Sequence, residues 1–190
     1  MRRFCASGLI RMDSKDGIRK RMLARRASVT EKEAERGSLE VLKNLFGNEK
    51  FLSAESVGFY YPLRGELDVK PAIERSFRLG KTVCLPRVFP ERIEFYAVDS
   101  MDDLGEGPMG IPEPPQGEIA APGLLVVPGL AFDLRKYRLG FGKGYYDKYL
   151  AAHDCFAIGV CFEWQVEDRL PATKSDIRMD EVISEGWIIE

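Results

Sequence analysis

Apolar residues along this chain fall into helical and strand rhythms that alternate. From Ser14 to Ala27 the pattern is helical, on a heavily basic segment. A second helix opens at Thr30, which stands three residues before Glu33 in the spacing of a capping box. Val41, Leu42, Leu45 and Phe46 give that helix a buried face, and Gly47-Asn48 ends it. Val57–Tyr61 is an apolar run stopped by Pro62 and reads as the first strand. Asp68–Leu79 reads as the next helix before Gly80, followed by strands at Thr82–Leu85 and Ile93–Val98. Leu124–Val127 and Phe156–Phe162 are further strands, with a helix from Tyr145 to Leu150 between them, and Glu181–Ile189 supplies one or two short ones. The strands alternate with helices and are apolar throughout. This predicts an α/β fold, a three-layer α/β/α sandwich around a mostly parallel central sheet. Residues 105–123 hold five prolines and five glycines and read as a long loop or flap.

The 190 residues suit one domain, read as 14–190 behind a flexible extension over 1–13. Residues 1–11 precede a second methionine, Met12, and read as a disordered extension or the product of an upstream start. The apolar stretch Phe4–Ile10 is broken by Ser7 and Gly8 and is too short for a signal core. No run approaches the roughly 18 apolar residues of a membrane helix. A net charge of −2 argues against a dedicated nucleic-acid binder, yet residues 1–26 carry nine Lys or Arg against two Asp. That run reads as a solvated helix face, or as a surface for RNA, an acidic partner or a membrane. Cys5, Cys84, Cys155 and Cys161 show no Cys-x-x-Cys spacing, and the last three lie in apolar runs, as reduced buried thiols of a cytoplasmic protein do. His153 is the only histidine, which removes most His-based catalytic schemes; it reads as a solvent-facing residue at a helix end.

Residues 128–150 carry the most specific pattern. After the strand Leu124–Val127, the chain places Gly140, Gly142 and Gly144 two apart, with Arg138 and Lys143 beside them and a helix start at Tyr145. Glycines let backbone N–H groups approach an anion, and a helix N-terminus adds partial positive charge. The spacing fits neither Gly-x-x-x-x-Gly-Lys-[Ser/Thr] nor Gly-x-Gly-x-x-Gly. On spacing alone the loop reads equally as a phosphate cradle or as an ordinary turn. In a sheet of this kind ligands lie beyond the carboxyl ends of the strands, where Tyr61–Glu66, Pro86-Arg87 and Arg138–Asp147 are expected to converge.

The ordered run Pro128-Gly129-Leu130-Ala131-Phe132-Asp133 and Arg138-Leu139-Gly140-Phe141-Gly142-Lys143-Gly144-Tyr145-Tyr146-Asp147 resembles the signature of the 5-formyltetrahydrofolate cyclo-ligase family. That family pattern has glycine where Lys136 stands and an acidic residue where Gly123 stands. A residue with a Cβ avoids positive φ, so Lys136 is expected to force a different turn.

The resemblance implies roles for specific residues. Lys15 and Arg19, four apart on one helix face, match a Lys-x-x-x-Arg pattern that binds ATP. Arg138, Leu139, Gly140, Phe141, Gly142, Lys143, Gly144, Tyr145 and Tyr146 would surround the ATP phosphates, with Lys143, Arg138 and Tyr146 as the catalytic set. Tyr61 and Glu66, with Phe141 to Tyr145, would face the folate. Alternatively, Glu66 is a first-turn helix residue favoured by the helix dipole. Asp147 and Asp176 match magnesium-binding aspartates, and Asp180 is a further candidate or flanks the last strand. Phe132, Phe141, Tyr145, Tyr146 and Trp164 are candidate stacking surfaces, Tyr145 and Tyr146 foremost. The implied partners are ATP, Mg2+ and 5-formyltetrahydrofolate, with or without a polyglutamate tail. A monomer without membrane or nucleic-acid partners is expected. The rival is a catalytically altered relative that binds nucleotide or RNA through its basic N-terminus, a reading favoured by Lys136 and the extension.

Overall fold

The computed structural model describes residues 13–190, apart from the side chain of Met109; the expected extension, as far as residue 12, and Cys5 with it lie outside the described residues. The chain runs α1 (Lys15–Ser28), α2 (Glu31–Gly47), α3 (Glu49–Ser53), β1 (Ser56–Gly58), α4 (Lys70–Arg78), β2 (Thr82–Val88) and β3 (Ile93–Val98). There follow β4 (Gly105–Glu106), β5 (Pro112–Glu113), β6 (Ile119–Ala120), β7 (Leu124–Val127), β8 (Ala131–Asp133) and β9 (Arg138–Leu139). The last elements are α5 (Tyr145–Ala152), β10 (Phe156–Val160), β11 (Val166–Glu167), β12 (Glu181–Ile183) and β13 (Ile188–Ile189).

Eight strands form the main sheet in the order β13-β12-β10-β7-β1-β2-β3-β6. Its centre, β12 to β2, is parallel, and antiparallel pairs close both margins. Alternation along the central strands sorts side chains onto two faces. Leu124 and Val126 of β7 join Val41, Leu42, Leu45 and Ile73 from α2 and α4. Leu125 and Val127 join Tyr149 of α5 and Phe132 of β8 on the other face. Both faces are covered, and the central strands β7 (LLVV) and β10 (FAIGV) therefore carry no polar side chain, as the sequence suggested. The second outer layer is thin: α5 shares it with a small sheet of order β11-β8-β9.

The chain leaves β1 for β2 through α4 and leaves β7 for β10 through α5, in opposite directions along the sheet. The carboxyl ends of β1 and β7 therefore flank the point where the strand order reverses, where open α/β sheets bind ligands.

Three local predictions need revision. The first strand ends at Gly58; Phe59 still donates its N–H to the Cys84 carbonyl of β2 at 2.9 Å, and it and Tyr60 stay buried beyond the strand. The Pro/Gly-rich stretch is not irregular throughout: it contains the β4–β5 hairpin and the edge strand β6. Within the signature itself, β8 and β9 pair antiparallel, an element too short for periodicity to reveal.

The capping box at the start of α2 is present as the sequence indicated. Thr30 Oγ1 accepts from the Glu33 N–H at 3.3 Å, and Glu33 Oε2 accepts from the Thr30 N–H at 2.9 Å. Thr30→Ala is expected to lower stability by about 1 kcal/mol, read as a shift of the denaturation midpoint at unchanged m-value.

Candidate active site

The turn that leads into the glycine loop is built around Asp133, whose side chain is fully buried. Its Oδ1 accepts from the backbone N–H groups of Arg135 and Tyr137, both at 3.0 Å. Its Oδ2 accepts from Arg135 Nε and Nη2 at 3.0 and 2.6 Å and from the Leu170 N–H at 2.9 Å. A carboxylate buried this deeply is tolerated because donors saturate it and a guanidinium balances its charge.

Lys136 sits in this turn at φ 70°, so it adopts the left-handed conformation expected of the family glycine. The expectation of a different turn is thus corrected. Hydrogen bonds around the residue hold the conformation against its cost. Its N–H donates to the Asp133 carbonyl at 2.8 Å, its carbonyl accepts from the Met179 N–H at 2.9 Å, and its Nζ reaches the Asp180 carbonyl at 2.8 Å. Arg178 Nε donates back to the Arg135 carbonyl at 2.8 Å. The turn and the 176–180 segment are therefore clasped together, which delivers Asp176 to the signature. Asp180 is spent on structure, accepting from the Ala157 N–H at 2.7 Å at the start of β10.

Past β9 the loop turns on Gly142 and Gly144, at φ 105° and 67°, the latter opening α5. A Cβ on Gly142 would stand in ordinary contact with the Arg19 guanidinium, at 3.5 Å, so the positive φ and not lack of space is what favours glycine there. Arg138, in β9, carries a side chain only 5% exposed; its Nη2 meets Asp147 Oδ2 at 2.9 Å while its Nε has no partner. Asp147 Oδ1 accepts from the Ile177 N–H at 3.1 Å, and the neighbouring Asp176 pairs with Lys15 at 2.6 Å. Arg19 Nε donates to the Gly140 carbonyl at 3.0 Å. A closed circuit results: α1, Asp176, Asp147, Arg138, the glycine loop, and α1 again. Burial works against ionisation of Asp176, but Lys15 and the Thr173 backbone and hydroxyl donors outweigh it and hold its carboxyl below the ordinary aspartate value.

The residues that the resemblance assigns to the folate stand beside this circuit. Glu66 lies in a turn ahead of α4 rather than in its first turn: its N–H donates to the Leu63 carbonyl, and its Oε2 accepts from the Leu63 N–H at 3.0 Å. Burial raises the Tyr146 phenol far above its ordinary value; Arg138, 5.4 Å from the ring centroid, opposes the rise and Glu66 adds to it. Tyr146 is thus a neutral hydroxyl. Tyr61 lies half-buried under Lys70, whose Nζ is 5.5 Å from its ring centroid. A groove of about 580 Å³ between α1, the start of α2 and the 63–65 turn has Phe141 on its wall, and one of about 320 Å³ beside it borders Glu66 and Asp68. Lys143 is exposed, with no ion-pair partner among the described residues.

Not every candidate arrives at the site. Leu139 packs in a small core with Ile18, Met22 and Leu130, so only its backbone borders the loop. Phe132 is core and unavailable for stacking. Trp164 stacks on Phe162. Arg87 lies within β2 rather than after it and turns to the Pro114 carbonyl at 2.7 Å. Lys15, Arg19 and Arg26 of the basic run turn to partners in the fold, so the solvated-face reading of that run fails for them, while Arg21 stays exposed in a surface pair with Glu167. His153 stacks on Tyr149, its ring 4.1 Å away. Burial pushes the Cys84 and Cys155 thiols up to about 11 and Cys161 higher still, which removes thiolate chemistry.

Sequence reading missed Arg26 and the hub role of Asp133. The signal for Arg26 was present, since Lys15, Arg19, Met22 and Arg26 fall at helical spacing along one stripe.

A magnesium ion bound with nucleotide ordinarily takes one or two carboxylates and completes its shell with phosphate oxygens and water. Asp147 and Asp176, linked through a single backbone amide, fit that role. Among the described residues no cluster of three or more His, Cys, Asp or Glu forms a protein-only cage. The orphan Nε of the buried Arg138 likewise fits an anion acceptor nearby.

The family model for 5-formyltetrahydrofolate cyclo-ligase matches residues 11–185. The chain belongs to this family. The 5-formyltetrahydrofolate cyclo-ligase of Escherichia coli K12 is 28% identical over 177 residues, covering 87% of this chain and 97% of that protein. The mouse cyclo-ligase is 24% identical over 190 residues, with 90% and 94% covered. A solved structure of 5,10-methenyltetrahydrofolate synthetase from Aquifex aeolicus superposes with a TM-score of 0.83 at 38% identity, over 92% of this chain and 91% of that one. No helix among the described residues is long and apolar enough to cross a membrane.

Three substitutions test the turn that leads into this candidate site. Asp133→Ala is expected to cost about 3–5 kcal/mol in a denaturant titration, since it strands the Arg135 charge and three backbone donors. Lys136→Gly is expected to stay within about 1 kcal/mol of wild type, relief of left-handed strain offsetting the greater freedom of the unfolded glycine, whereas Lys136→Ile should lose about 1–3 kcal/mol.

Proposed function

We propose that this protein closes 5-formyltetrahydrofolate to 5,10-methenyltetrahydrofolate, consuming ATP and releasing ADP and phosphate. The observation that carries the reading is the closed circuit joining Lys15 and Arg19 to Asp176, Asp147, Arg138 and the glycine loop, in a chain of the cyclo-ligase family. A formyl oxygen is a poor leaving group. Transfer of the ATP γ-phosphoryl group to it makes one, N10 then attacks the formyl carbon, and phosphate departs with the oxygen.

Positioning and charge neutralisation supply most of such a reaction. Lys15, Arg19 and the loop amides from Gly140 to Gly144 bind the triphosphate, and Tyr145 borders it. Lys143, unpaired and at the loop tip, meets the charge on the phosphoryl group in flight. Arg138 offers its free Nε to the same oxygens, and neutral Tyr146 can donate a hydrogen bond. Asp147 and Asp176 would hold magnesium, which supplies charge neutralisation for the phosphates. On the folate side, Glu66 accepts from the pterin N–H groups while Tyr61 and Phe141 line the pocket. We further read the protein as a cytoplasmic monomer acting on folate with or without a polyglutamate tail, and without a nucleic-acid partner.

Purified protein with magnesium should consume ATP only when 5-formyltetrahydrofolate is present, and the methenyl chromophore should appear in proportion. ATP loss without folate, or no chromophore, overturns the reading. Lys143→Ala should lower turnover about 100-fold or more at unchanged stability, checked by the same absorbance assay beside thermal unfolding. Near-normal turnover removes Lys143 from the mechanism.

A further inference from the structure

Arg26, at the C-terminal end of α1, has no role in the scheme above, yet its guanidinium makes more directed contacts than any other cation of that helix. Nε and Nη2 donate to the Arg64 carbonyl at 3.2 and 2.6 Å. Nη1 donates to Glu66 Oε1 at 3.1 Å, and both side chains of this pair are only 13% exposed. The guanidinium also lies 6.0 Å from the ring centroid of Phe141, the exposed aromatic of the glycine loop. The backbone is shaped to admit it. Gly65 sits at φ 77°, and a Cβ there would stand 3.1 Å from Arg26 Cγ and 3.2 Å from its Nε.

These contacts fix the Glu66 carboxylate from two sides. Oε1 is held by Arg26 and Oε2 by the Leu63 N–H at 3.0 Å. Each oxygen keeps a further lone pair, so the carboxylate stays competent to accept two more donors while its plane is set in advance. A planar fork that spans a carbonyl and a carboxylate is something arginine does and lysine, a point charge on a flexible stem, does not.

We propose that Arg26 is a positioning residue for the folate: it orients Glu66 through the 63–66 turn and brings that turn against Phe141. The inference rests on the reading of Glu66 as the substrate carboxylate. Orienting the acceptor in advance spares the substrate the cost of ordering it, so the effect belongs to folate binding and not to the nucleotide.

Calorimetric titration of 5-formyltetrahydrofolate alone and of Mg-ATP alone, with KM and kcat measured beside them, tests this on Arg26→Ala, Arg26→Lys, Glu66→Gln, the double variant Arg26→Ala/Glu66→Gln, and Gly65→Ala. Arg26→Ala should weaken folate binding about tenfold or more and raise KM for folate alike, leaving Mg-ATP affinity within about twofold. Arg26→Lys should recover only part of the loss. The double variant should bind folate no more weakly than Glu66→Gln alone, because the two residues act as one unit. Gly65→Ala, which displaces the fork without touching its charge, should reproduce the folate-selective loss and serves if Arg26→Ala fails to fold. Unchanged folate binding in folded Arg26→Ala or Gly65→Ala, equal weakening of both ligands, or full additivity in the double variant overturns the role of Arg26. If Glu66→Gln binds folate as wild type does, the reading of Glu66 fails and this inference with it; if Glu66→Gln loses folate while Arg26→Ala keeps it, only the inference fails.

Discussion

The site depends on a charge kept out of water. Asp133 holds the start of the signature turn, one strand of the small sheet and the approach of residue 170 through a single carboxylate with five donors. The low local dielectric strengthens each of those bonds and makes any partial set costly, so the arrangement is close to all-or-none. Once the turn is set, Lys136 must accept a left-handed conformation, its carbonyl and ammonium face the 176–180 segment, and Asp176 is carried to Lys15. The strain at one residue is thus sustained by bonds that also complete the candidate metal site.

Helix α1 performs the corresponding task from the opposite side. Only Ile18 and Met22 of this helix are buried apolar residues; its attachment otherwise runs through Lys15, Arg19, Arg21 and Arg26. Those contacts reach the segment after β9, the segment before β12 and the turn after β1. Cations at helical spacing tie the glycine loop, the 176–180 segment and the 64–66 turn to one rigid rod, in a chain whose net charge is −2.

The layered α/β fold was legible because burial on both sheet faces makes strands such as Leu124–Val127 continuously apolar, and because caps such as Thr30 and Glu33 are local chemistry. Lys15, Arg19, Arg138, Asp147 and Asp176 were legible through resemblance, and the geometry joins them. Two kinds of feature were not. Strands β8 and β9 are too short to show a period, and their pairing follows from Asp133, whose partners lie up to 37 residues away in sequence. The conformation of Lys136 ran against local preference, because tertiary hydrogen bonds outweigh about 1–2 kcal/mol of left-handed cost. Arg26 was hidden differently: its spacing was visible, but its partners in the 64–66 turn were not.

The Lys15–Asp176 pair joins residues 161 apart, so the circuit closes only when the two ends of the domain meet. Closing so long a loop costs entropy that must be spent before the contact repays it, which makes this a late event in folding. During synthesis the sheet strands up to β10 emerge before residue 176 does. A nascent chain can therefore bury much of its core while its anion-binding groups still lack their counterpart. Closure of the circuit waits for the far end of the domain, a built-in delay between being compact and completing the candidate site.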